Sequence, residues 1–235
     1  KIRACDTMGY GVPYPGASLP RSVAGIIYGL RNYGGFEAEL LEWHGHNDFY
    51  KAVANSATAW LYGAAGVNCS LLGIGERTGN TPLEAMVIEY AQLKGSLNGM
   101  DPTVIREIAD YYERELGFHV PDNTPFVGRN FNVTQAGIHA DGLLKDEEIY
   151  NIFDTTTLLN SPPRVIISKN SGAAGLAVWL SRHTGRPVEK SDPDVAALKR
   201  WVDAQYASGR VTNIGGAELA EVYESLKGGR EDEHR

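Results

Sequence analysis

The order of apolar and polar positions over residues 1–98 repeats three times: a run suited to a strand, a loop of Gly, Pro and polar residues, and an apolar stripe at helical spacing. Residues 1–7 read as the inside of a strand, and Met8 to Gly16 form a Gly/Pro loop that no regular element could contain. A helix follows, with Ser18 as its cap, Pro20 in its first turn, and Val23, Ile26, Ile27 and Leu30 at helical spacing. Ala38 to Trp43 is the second predicted strand, and the alanine-rich stretch from Phe49 to Gly66 is the second helix, ended by glycine. The third unit is a strand from Gly66 to Leu72, the loop Gly73 to Asn80, and a helix opened by Thr81-Pro82 that runs through Leu93. This rhythm predicts parallel βαβ units with functional loops at the C-terminal ends of the strands.

From Asp101 the pattern turns helical. Asp101-Pro102 caps a helix whose Val104, Ile105, Ile108, Ala109, Tyr112 and Leu116 make an apolar face. Further helices are expected at 135–145, 171–183, 194–208 and 217–226, before a charged tail. The predicted fold class is α/β, and the predicted divisions are 1–98 for the βα units, 99–185 for a mostly helical region, and 186–235 for C-terminal helices and tail.

Composition narrows the function classes. With 43% hydrophobic and 22% charged residues, disordered and collagen-like readings are excluded. The 22 Lys+Arg against 29 Asp+Glu give a net charge of −7, without the basic footprint of a nucleic-acid binder. No apolar run approaches the ~18 residues of a membrane span and no signal peptide is visible, so a cytoplasmic chain with no membrane partner is expected. Cys5 and Cys69 are too few for a disulfide framework and are expected to be buried small residues. The first residues lack an initiator Met and read as the middle of a fold, so further chain is expected upstream.

Candidate chemistry centres on His44-x-His46 at the end of the second strand. Imidazoles two residues apart on a strand share a face, so both rings can reach one divalent ion. Taken alone, such a pair is more often a surface or hydrogen-bonded pair than a metal site. Its place at a strand end in a parallel array, with Asn80 in the corresponding loop of the next unit, favours a ligand site. Gly73, Gly75 and Gly79 match neither a dinucleotide nor a phosphate loop, and are read as glycines that let the backbone turn and bring Asn80 inward. Glu76 and Arg77 are read as a structural ion pair. Lys169 to Gly172 could offer amides to an anion, though a helix cap is favoured. His139, among small residues with Asp141 and with Tyr150 eleven positions on, is either an interface histidine or an acid/base group delivered to the metal site by a separate domain.

Asp6 to Tyr10, His44 to Asp48, Gly73 to Asn80, Gly137 to Gly142 and Ser168 to Gly172 together resemble, in order, the second half of the isopropylmalate, homocitrate and citramalate synthases, the Claisen-condensing branch of the TIM-barrel metallolyases. Tyr10 to Gly16, Glu42 to Lys51 and Ala59 to Gly63 are most similar to the Re-type citrate synthases of that group. The resemblance implies the C-terminal part of a TIM (β/α)8 barrel followed by a mostly helical subdomain. It implies His44 and His46 as ligands of a divalent metal (Mn, Co, Zn or Mg) with Asn80 ligating or supporting it, Thr7 as binder of the 2-oxo acid carboxylate, and His139 and Tyr150 as the catalytic pair. It leaves Glu42 unassigned.

The family's Asp-Arg-Glu motif and first barrel strands have no counterpart here, so the missing N-terminal half is expected in cis or as a separate chain. The implied activity is condensation of acetyl-CoA, the co-substrate, with a 2-oxo acid, foremost oxaloacetate to citrate, in a homodimer with exchanged helical subdomains. Isopropylmalate, citramalate or homocitrate synthesis, a lyase on the same scaffold, and a non-catalytic assembly subunit are the rival readings.

Overall fold

The structure, a computed structural model, describes residues 1–134 and 153–232. The chain divides into two compact units, residues 1–119 and 120–235. In the first, strands β1 (Ile2–Asp6), β2 (Leu41–Gly45) and β3 (Gly66–Asn68) form a parallel sheet in the order β1-β2-β3. Helices α1 (Val23–Asn32) and α2 (Ala52–Leu61) connect them, and α3 (Leu83–Lys94) and α4 (Val104–Leu116) follow. The α/β class and the parallel βα order are those predicted. The helix α4, which the sequence reading grouped with the helical region, lies within this first unit.

Alternation along the strands decides what each face does. Leu41 and Trp43 of β2 are buried with Val23 and Ile27 of α1, Ala59 of α2 and Ala64, and Ile2, Ala4 and Val67 pack against them. Alanine, serine and asparagine on the buried side of α2 let its backbone come close to the sheet. The opposite face carries Arg3, Cys5, Glu42 and His44, none of them fully buried. Cys5, expected inside, is exposed on this face, because its position on β1 is one step out of phase with Ile2 and Ala4.

Several boundaries move for identifiable reasons. The cap of α1 is Ser22, whose hydroxyl accepts from Gly25 N (2.9 Å), while Ser18 and Pro20 lie in the preceding turn. The second helix starts at Ala52 instead of Phe49, since Tyr50 takes φ 55° in a turn closed by Tyr50 N donating to Asn47 O (3.0 Å). Regular pairing of β3 stops at Asn68. A single helical turn at Leu71–Gly73 follows, with Leu72 at φ 56°.

In the second unit, β4 (Val133–Thr134) pairs in parallel with β5 (Arg164–Val165), two short strands that the sequence pattern did not reveal. Here α5 (Thr155–Leu159), capped by Asp154, precedes α6 (Ala173–Thr184), α7 (Pro193–Ala207) and α8 (Gly216–Asp232). Leu176 and Leu180 of α6, Val195, Leu198 and Val202 of α7, and Leu219 and Tyr223 of α8 form its core with Ile167 and Ile214. The helix predicted at 135–145, with His139 and Tyr150, lies outside the described residues.

Candidate metal and substrate site

The C-terminal ends of β1, β2 and β3 bring Thr7, His44, His46 and Asn80 to one end of the sheet. The two-residue spacing puts both imidazoles on the same side, with their Nε2 atoms 3.3 Å apart and their ring planes nearly perpendicular. Register supplies a third residue: Asn68 of β3 lies opposite His44, and its Oδ1 is 2.8 Å from His44 Nδ1. With the proton on Nδ1, that hydrogen bond orients the ring and leaves Nε2 as a lone pair. His46 is 8% exposed, and its Nδ1 is buried without a hydrogen bond.

These residues fit a divalent ion. At the usual metal–nitrogen length of about 2.1 Å, two nitrogens so placed subtend roughly 105° at one ion, an ordinary angle between neighbouring ligands. Among the described residues no group of three or more His, Cys, Asp and Glu gathers as a metal site, so a third ligand from among them would be an amide. Asn80 offers one such donor. Its backbone bridges to that of His46, and its Oδ1 is buried with no partner.

The loop before Asn80 is shaped by glycine. Asn80 N donates to Gly73 O (2.9 Å), and the asparagine side chain lies so close over Gly75 that a Cβ there would come 2.5 Å from Nδ2. Gly79, at φ +90°, passes within 2.1 Å of Gly73 O at its missing Cβ. Glu84 of α3 secures the start of the loop. Its carboxylate accepts from Leu72 N (3.0 Å), and burial raises its pKa.

Arg77 forms the ion pair expected with Glu76, at 3.7 Å, and has nearer partners as well: Asp48 accepts from Arg77 Nε at 2.9 Å, and Thr7 O accepts from the same guanidinium. The Arg77 hydrogen bond holds the Asp48 carboxyl below the usual range. Glu42, on the His44 face, accepts from Lys1 and Arg3 at 2.9 Å each, and those hydrogen bonds lower its pKa. In the second unit, the residue at the cap of α6 is Gly172, with no side-chain cap hydrogen bond, and Ser171 Oγ accepts from Ser168 N (2.9 Å) in the turn before it, so the side-chain cap favoured for that stretch is not formed.

Sequence reasoning missed Asn68, whose signal was a polar residue inside the third predicted strand; it placed Asp48, with Asn47, in the polar cluster beside the histidine pair but did not give it Arg77 as a partner. His139 and Tyr150 lie outside the described residues, so their distance from this site is not part of its geometry.

The three parallel strands and the histidine pair fall within residues 1–111, which match the HMGL-like family. Over most of its length the chain is related to citrate (Re)-synthases and to isopropylmalate synthases. It is 58% identical over 223 residues to the citrate (Re)-synthase of Clostridium kluyveri, covering 93% of this chain and 49% of that protein. It is 52% identical to the citrate (Re)-synthase of Syntrophus aciditrophicus, over 93% of this chain and 36% of that protein. The 2-isopropylmalate synthase of Acetivibrio thermocellus is 32% identical over 75% of this chain and 34% of its own length. The chain thus spans half or less of the length of these relatives.

Proposed function

We propose that the protein containing this chain is an acetyl-CoA-dependent 2-oxo acid synthase whose acceptor is oxaloacetate and whose product is citrate. The observation that carries the reading is the facing His44 and His46 imidazoles at a parallel strand end within the residues that match the HMGL-like family. The 58% identity to a citrate (Re)-synthase supports oxaloacetate over the acceptors that would give isopropylmalate, citramalate or homocitrate.

In this reading His44 and His46 hold a divalent ion, Mn, Co, Zn or Mg, with Asn80 ligating or supporting it. When bound, the ion supplies Lewis-acid polarisation of the 2-oxo acid carbonyl. Asn68 keeps His44 oriented. The Thr7 hydroxyl binds the substrate carboxylate. His139 moves the proton of the acetyl methyl group, and Tyr150 hydrogen-bonds the thioester oxygen or orients His139. The methyl carbon then bonds to the keto carbon, the keto oxygen takes up a proton, and water cleaves the thioester to release the CoA thiol. The three strands form the C-terminal part of a TIM barrel, completed by the N-terminal half in cis or from a separate chain. The assembly is a cytoplasmic homodimer that exchanges the helical subdomains.

The test is a thiol-release assay on the full protein with acetyl-CoA, Mn and each candidate 2-oxo acid in turn. Citrate formation lost on chelation and restored by Mn is the expected result. Release with a different acceptor would reassign the substrate. Cleavage without condensation would point to a lyase, and no turnover with no bound metal would point to the assembly-subunit reading.

A further inference from the structure

We infer that Arg77 is a positioning residue for the 2-oxo acid, acting through Thr7; the inference rests on the reading of Thr7 and the histidine pair given above. The sheet has the order β1-β2-β3, so the end of β1 and the loop after β3 are not neighbours, and no ladder hydrogen bond joins them. Arg77 makes that connection. From the loop after β3 it crosses the end of β2, where Asp48 accepts from Nε at 2.9 Å and from a terminal nitrogen at 3.4 Å. The same terminal nitrogen donates to the Thr7 carbonyl, 70 positions away in sequence. The guanidinium therefore ties the backbone bearing the Thr7 hydroxyl to the loop that follows His46. Without it, one chain connection remains close by: His46 N donates to Asp6 O at 3.3 Å, one residue short of Thr7.

The chemistry needs arginine. Its planar fork can serve a carboxylate and a carbonyl at once, whereas a lysine ammonium is a compact point charge on a flexible stem. The Arg77 and Asp48 side chains are 38% and 21% exposed, and pairs this wet contribute little to stability. A stabilising role and a positioning role therefore separate experimentally.

The experiment compares the full protein with its Arg77→Lys, Asp48→Asn and Thr7→Ala variants and the Arg77→Lys/Thr7→Ala double variant. It measures KM for oxaloacetate, KM for acetyl-CoA, Mn binding by calorimetry and the thermal midpoint. Positioning through Thr7 gives a rise of tenfold or more in KM for oxaloacetate in Arg77→Lys, with KM for acetyl-CoA, Mn affinity and midpoint nearly unchanged. It also gives a double variant no worse than Thr7→Ala alone, and a milder loss in the same direction for Asp48→Asn. An unchanged KM for oxaloacetate, an additive double variant, or a loss confined to the thermal midpoint would overturn it. If the unaltered protein condenses no 2-oxo acid, the underlying reading fails and takes the proposal with it; a normal wild type with a normal Arg77→Lys removes the proposal alone.

Discussion

At the scale of single residues, the site depends on contacts that one atom more or less would break. Asn68 is hydrogen-bonded to His44 Nδ1, and outer partners of this kind typically carry about 10–100-fold in metal affinity. Asn68→Ala should weaken Mn binding by that order, measured by calorimetry, while the thermal midpoint changes little; equal affinity would show that His44 needs no orienting partner. Gly75 is a second such point. An alanine there would put its Cβ 2.5 Å from Asn80 Nδ2, so Gly75→Ala should displace the Asn80 side chain and lower activity on the order of tenfold, with folding retained. The thiols differ as well. Burial pushes Cys69 up to about 11, so it should resist alkylation at pH 8 in the folded protein and react once the protein is denatured, as mass spectrometry of labelled peptides would show.

At the scale of elements, β2 joins core to site. Its Leu41 and Trp43 are 1% and 2% exposed against α1 and α2, while Glu42 and His44 point the other way. Truncating Trp43 to alanine should cost about 3–5 kcal/mol, read from denaturant unfolding. Helix α3 contributes differently, through Glu84. Because burial raises the folded-state pKa of Glu84 above that of the unfolded chain, its ionisation opposes folding, and native stability falls as pH rises through the folded pKa. Glu84→Gln keeps an acceptor for Leu72 N but removes the buried charge. Its thermal midpoint relative to the unaltered protein should therefore rise between pH 4 and pH 8, and a constant difference would mean that Glu84 is not penalised by burial.

At the scale of the whole molecule, the chain is two compact units, and the segment Gly117-Phe118-His119 at their division is exposed. A brief digestion with a broad-specificity protease should cut there and leave two resistant fragments; cleavage inside α4 instead would contradict the division. The face of the sheet opposite the core carries Arg3, Cys5, Glu42 and His44, a polar surface that in the proposed reading would line the interior of a barrel. Among the described residues no helix is long and apolar enough to cross a membrane.

The amino-acid sequence by itself determined what is local. Alternation and helical spacing announced three parallel βα units, and the period of two along a strand guaranteed that His44 and His46 share a face. Glycines at 73, 75 and 79 announced a tight loop delivering Asn80. Boundaries were less legible, because a left-handed Tyr50 or a cap at Ser22 instead of Ser18 depends on hydrogen bonds to groups elsewhere in the turn. Only the tertiary structure decided that Asn68 faces His44, which follows from the register of β2 against β3. It alone added Asp48 and Thr7 to the Glu76 partner of Arg77 that the sequence suggested, because the further partners of a long cationic side chain are chosen by which strand ends the fold brings within reach, and adjacency in sequence carries no such information.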